Sequence, residues 1–184
     1  MTILLIVLGV VGVALLYVVV TYNGLVRLRN RVEAAWAQID VQLKRRYDLI
    51  PNLVETVKGY AAHERATLEA VVEARNRAMA APVGSHEQAA AENVVSGALR
   101  QLFALSEAYP DLKANLGFLG LQEELTATED KIAYARQFFN DSVLRYNNKI
   151  EAFPAVLFAR VFGFVEREFF EADGDERGPV AVGF

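Results

Sequence analysis

Chemistry needs reactive side chains at a workable spacing, and this chain of 184 residues offers few. His63 and Glu64 begin like a zinc-protease HExxH motif, but position 67 is Thr, so the second imidazole ligand is missing. A di-iron bundle needs two Glu-x-x-His pairs, whereas the residues three before His63 and His86 are Tyr60 and Val83. With two His and no Cys a zinc site is not expected. Gly117 and Gly120 lack the Lys and the spacing of a phosphate-binding loop. Nothing points to a Ser-based triad. The reading is of a non-enzyme with no catalytic, cofactor-binding or metal residues.

Charge is the other resource. The net value is -4, which argues against nucleic acid as a partner because phosphate neutralisation needs a basic surface. The distribution is uneven. Basic residues concentrate at Arg27, Arg29, Arg31 and at Lys44, Arg45, Arg46, while residues 166–177 hold six acids against Arg167 and Arg177. The Lys44-Arg45-Arg46 cluster has Asp40 and Asp48 within four residues, so a solvated set of ion pairs or an acidic partner is expected there. Arg45, Arg46 and Asp48 are the partner-contact candidates.

The elements that position these groups start with residues 3–20, eighteen apolar residues without a charge. With Thr21 and Tyr22 they make a helix about 30 Å long, the thickness of a bilayer's hydrocarbon core. A secretory signal would need a basic leader, a shorter apolar core and a small-x-small cleavage motif. None of these is present, so residues 1–22 are expected to be a transmembrane anchor. Arg27, Arg29 and Arg31 follow it directly, and the positive-inside rule then places the C-terminal side in the cytoplasm, with a single pass and the N-terminus outside. These three arginines lie within about 14 Å of the membrane and are the headgroup candidates; Arg45 lies about 35 Å away, beyond the screening length of about 8 Å. Gly9 and Gly12 form one small-residue face of the anchor.

From Leu25 to Leu43 apolar residues recur at three- and four-residue steps, so one helix continues from the anchor. Pro51 is expected to interrupt it, with a turn at residues 47–50 preferred and a kink in one continuous helix as the alternative. A second helix of about thirty residues then runs toward Met79. Ser85, with Gln88 three residues on, has the form of a capping box opening a third helix that stops near Tyr109-Pro110. After a connection over residues 110–120, a fourth helix carries an aromatic heptad, Phe139, Tyr146 and Phe153, with Ile132, Val143 and Ile150 completing a seam. Asn140 and Asn147 flank that seam and are expected to bond to a neighbouring helix.

Residues 153–170 contain six of the eleven Phe, so the segment must pack on the bundle, on another copy or at the lipid interface, and Phe158, Phe162, Phe164 and Phe169 are the candidates for contact with another copy or the membrane. No β alternation of useful length appears. The fold class is all-α: one transmembrane helix continuing into an antiparallel bundle of about four long helices over residues 23–170. Residues 171–184 are an acidic, then apolar tail whose end could dock as an extended strand.

The stretch IDVQLKRRYDLIPNLVETVKGYAAHE at 39–64 resembles the signature of the LemA family. YNGLVRLRNRVEAAW at 22–36, YPDLKAN with LQEELTATEDKIAYAR over 109–136, and FNDSVLRYNNKIEAFP at 139–154 agree with it. The resemblance implies a membrane helix, a cytosolic bundle of long antiparallel helices and no established catalysis, and some relatives are similar to proteins implicated in shaping bacterial intracellular membranes. Two functions fit: a scaffold that self-associates at the cell membrane and organises or shapes the bilayer, or a tethered adaptor that recruits a separate protease or phosphatase-like membrane partner.

Overall fold

The computed structural model describes residues 1–170, and among them every regular element is a helix. The order is α1 (Thr2–Lys58), α2 (Arg65–Ala80), α3 (His86–Ser106), α4 (Pro110–Lys113), α5 (Leu116–Glu151) and α6 (Val156–Ala159). The tail at 171–184 lies outside the described residues.

The turn expected before Pro51 is absent; α1 runs 57 residues with Pro51 inside it. A proline there removes the N–H that would bond the carbonyl of Tyr47 one turn earlier. That carbonyl is not left bare, because Arg75 on α2 donates its Nε–H to it at 2.8 Å. A side chain from another helix replaces the missing donor, so Pro51 need not end α1.

The break falls at Gly59 instead. Tyr60 and Ala61 both donate backbone N–H groups to Val57 O, at 3.0 and 2.8 Å, and the chain then turns before α2. Glycine is the residue that loses most freedom in a helix, which makes this the weakest point of the stretch. The expected thirty-residue second helix is therefore the 16-residue α2.

The start of α3 follows its sequence signal. Gln88 N–H donates to Ser85 Oγ at 3.1 Å, and the Gln88 side chain reaches back to accept from Gly84 N at 2.8 Å. One orphan donor of the first turn is thus satisfied, together with the N–H just before the cap. Pro110 takes the first position of α4, where its lack of an N–H costs nothing. Asn115 Oδ1 accepts from Phe118 N–H at 2.9 Å and caps α5. Residues 116–120, expected in a connection, are consequently helical.

By contacts the chain divides into two units. The first is Met1–Ala37 with Gln137–Phe169, and its core joins Leu25, Val32 and Ala35 of α1 to Phe139, Val143, Tyr146 and Ile150 of α5. Phe153, expected to extend this seam, falls beyond the end of α5 and is exposed. The second unit is Gln38–Arg136 with Phe170; its core is built on Leu43, Ile50 and Leu53 of α1, Val71 of α2, Leu99 of α3 and Leu125 of α5. The whole is an all-α bundle.

Candidate functional site

From Ile3 to Val20 no side chain is buried, and packing begins at Thr21 and Leu25. Among the described residues α1 is the one helix long and apolar enough to cross a membrane. A run of large aliphatic side chains left bare in water would be costly at about 25 cal/mol per Å² of apolar surface, so the run calls for an apolar cover. A Cβ built on Gly9 or Gly12 meets nothing within 4 Å, so that face is open to a close neighbour.

Directly beyond the run, Tyr22 receives two aromatic rings edge-on, Phe162 at 5.3 Å and Phe164 at 5.5 Å between centroids. Their placement depends on how the chain leaves the turns after α6. Gly163 adopts φ 76°, a conformation that costs glycine nothing and other residues much. Its N–H donates to Arg160 O at 3.1 Å and the next N–H, of Phe164, donates to Ala159 O at 3.0 Å. This is the Schellman pattern of a helix end, with Phe164 and Ala159 as its apolar pair. The chain then runs without regular structure, held by Asn147 on α5, which donates to Arg167 O at 2.9 Å and accepts from Arg167 N–H at 3.0 Å. Asn147 thus binds the irregular segment after α6 and not the neighbouring helix expected for it. Burial pushes the Tyr146 phenol above its ordinary pKa, with Arg167 and Arg29 opposing.

The arginines after the apolar run take different places. Arg27 is exposed and donates to Asn23 O at 3.3 Å. Arg29 is half-buried over the Phe164 ring at 5.7 Å, and Arg31 lies over Phe138 at 5.3 Å. Among the four phenylalanines expected to contact copies or membrane, Phe162 and Phe169 are exposed over nearly half their surface and Phe158 is half-buried. Phe164, at 2% exposure, is a core residue and not an outward contact. Its ring fills the space between Tyr22 and Arg29.

The basic cluster of α1 is also split. Lys44 pairs with Asp48 at 2.8 Å on the surface, and Arg45 with Glu124 at 2.5 Å. Arg46 is wholly buried. Its guanidinium donates to Glu129 Oε1 at 2.5 Å, to Ser96 Oγ at 2.9 Å and to Glu92, and Tyr47 OH also donates to Glu92. Ser96 Oγ in turn donates to Glu129 Oε2 at 2.7 Å. Arg46 is therefore no surface contact, because its charge is consumed by two carboxylates inside the bundle. Burial raises the Tyr47 phenol pKa against the pull of Arg46. The position has a sequence signal: Arg46 lies three residues after Leu43 and four before Ile50, on the buried stripe of α1.

The His63-Glu64 pair sits in the turn between α1 and α2, with His63 exposed and Glu64 accepting from Tyr109 OH at 2.9 Å. Among the described residues there is no group of three His, Cys, Asp or Glu able to hold a metal ion.

The sequence profile of the LemA family matches residues 35–184. The chain belongs to the LemA family. Its relatives include the magnetosome protein MamQ of Magnetospirillum gryphiswaldense, 27% identical over 81% of this chain and 64% of that protein. MamQ 2 of Paramagnetospirillum magneticum is 26% identical over 82% of this chain and 64% of its own length. Protein LemA of Metamycoplasma hominis is 25% identical, over 84% and 71% respectively. The chain thus spans about two thirds of the length of these MamQ relatives, at 64%. None of the three carries an enzyme's name. A LemA-family bundle with this apolar helix is a membrane-associated helical protein.

Proposed function

We propose that this LemA-family chain is a non-catalytic scaffold that self-associates at the cytoplasmic face of the cell membrane and organises or shapes the bilayer. The observation that carries the reading is the apolar run of α1, none of whose side chains is buried among the described residues. Lipid covers most of it, and the open Gly9 and Gly12 face gives a second copy room to approach. Arg27 and Arg31, exposed just past the run, suit anionic headgroups and a cytoplasmic C-terminal body. Relatives named as magnetosome proteins support a role at a membrane.

Light scattering on the full-length chain in mild detergent tests it. A large homo-oligomer is expected, and a small, monodisperse species would overturn self-association. That second outcome belongs to the adaptor reading, in which a separate membrane protein is recruited. One observation favours it: a recess of about 630 Å³ between the end of α1 and α2, with Val54, Leu68 and Val72 in its lining and Lys58, Arg65 and Glu69 at its rim. Arg45 and Asp48, exposed on α1, remain its charged contact candidates.

A further inference from the structure

Four large apolar side chains of the segment after α5 stand out into solvent at steps of four residues. Phe153 is 80% exposed, Leu157 69%, Val161 81% and Val165 63%. Helical turns place Leu157 and Val161 on one side, since Ala159 N–H donates to Ala155 O and Phe162 N–H to Phe158 O, while Phe153 precedes these turns and Val165 follows their end at Gly163. The opposite side is the packed one, where Ala155, Ala159 and Phe164 are buried. A soluble surface does not normally carry such a stripe, and its pattern is that of a segment with one wet and one apolar side.

What covers the stripe is indicated by its neighbour. Phe162, three residues before Val165, meets the ring of Tyr22, and Tyr22 is the second residue beyond the apolar run of α1. At about 1.5 Å per residue, Tyr22 lies about 3 Å past Val20, at the depth where Tyr rings gather in membranes. The stripe is therefore continuous with the end of the span. Depth is limited by charge: Glu151 at the end of α5 and Arg160 and Glu166 beyond it are exposed and line a recess of about 340 Å³ together with Ile150, Val156 and Phe164. Three ionic groups do not enter hydrocarbon. They hold the segment at headgroup level.

We propose that residues 153–165 lie in the interfacial layer of the leaflet met by Tyr22, with Phe153, Leu157, Val161 and Val165 dipped into lipid as a second membrane attachment. This rests on α1 spanning the bilayer, and it takes the stripe away from copy-to-copy contact. The body is then held to the membrane at two points of the sequence.

The chain has no Cys, so single Leu157→Cys and Val161→Cys variants can carry a nitrobenzoxadiazole label on the full-length protein. They are reconstituted into vesicles of equal parts phosphatidylethanolamine and phosphatidylglycerol, with bromine placed on the acyl chains either near the headgroup or near the methyl end. Val11→Cys in the run and Glu55→Cys on the exposed side of α1 serve as references, and unchanged far-ultraviolet circular dichroism confirms the fold. Labels at 157 and 161 are expected to be quenched several-fold more by shallow than by deep bromine, with Glu55→Cys unquenched. Water-like, unquenched emission at 157 and 161 beside a quenched Val11→Cys label would overturn the attachment and leave the light-scattering result untouched. Dry but unquenched emission would assign the stripe to another copy and overturn it equally. An unquenched Val11→Cys label would remove the span itself, and with it both readings.

Discussion

Arg46 and Arg29 leave the same helix and part from water in opposite ways. Arg46 is fully enclosed and its charge is met by Glu92 and Glu129. Arg29 stays half-exposed, with its flat face on Phe164 and no carboxylate against it among the described ion pairs. Around Arg46 the bundle spends charge on itself, and a buried guanidinium so paired fixes which helix faces meet. Around Arg29 the aromatic rings do the packing and cations remain turned outward. The first region is structural. The second is the one with chemistry to offer a membrane.

The comparison breaks most readily at the buried pair. Arg46→Met leaves Glu92 enclosed without its cation and is expected to cost about 3–5 kcal/mol of unfolding free energy. Adding Glu92→Met should recover most of it in denaturant titrations of the full-length chain in detergent. A loss below about 1 kcal/mol would mean that the cluster is wetter than described. Phe164→Ala is expected to cost about 3–5 kcal/mol as a core truncation, while Phe162→Ala, one side of which already faces out, should cost well under half of that. Equal costs would erase the distinction between the two rings.

Next in size is the donor that serves Pro51. Arg75→Ala strands the Tyr47 carbonyl and should cost about 1–3 kcal/mol. In a Pro51→Ala background the helix regains its own N–H, so the same change should cost clearly less; an equal cost would show that Arg75 acts elsewhere. Arg29→Ala is smaller, about 0.5–1 kcal/mol for a partly exposed cation–π contact, and thermal unfolding should register only a small shift.

The smallest effect is in pH. Because the Tyr47 phenol is raised by burial, the folded chain holds that proton more tightly than the unfolded one. Its contribution is complete below the ordinary tyrosine value of about 10 and is lost as pH climbs through the folded-state pKa. Tyr47→Phe should flatten the alkaline fall in stability, and an unchanged slope would detach Tyr47 from it.

Local signals were legible where local groups decide the outcome. Ser85 and Gln88 mark the start of α3 because a cap is made within four residues, and the heptad through Phe139 and Tyr146 marks the buried side of α5 because burial follows helical period. Pro51 misleads because its remedy, Arg75, is supplied by α2, and no helix rule contains that helix. Arg46 misleads likewise: Glu92 and Glu129 lie 46 and 83 residues away in sequence, so beside Asp40 and Asp48 the triplet reads as a solvated patch. In the aromatic segment composition showed that something must be covered, but only the fold separates the inward Phe164 from the outward Leu157 and Val161. The fold class and the long apolar helix were thus readable early, and the division of labour within the site was not.

The reliance of Tyr47 on Arg75 also orders events during biosynthesis. A ribosome delivers Pro51 well before residue 75, so in the nascent chain that carbonyl has only water to turn to. The far end of α1 therefore has its full set of hydrogen bonds only with α2 docked against it.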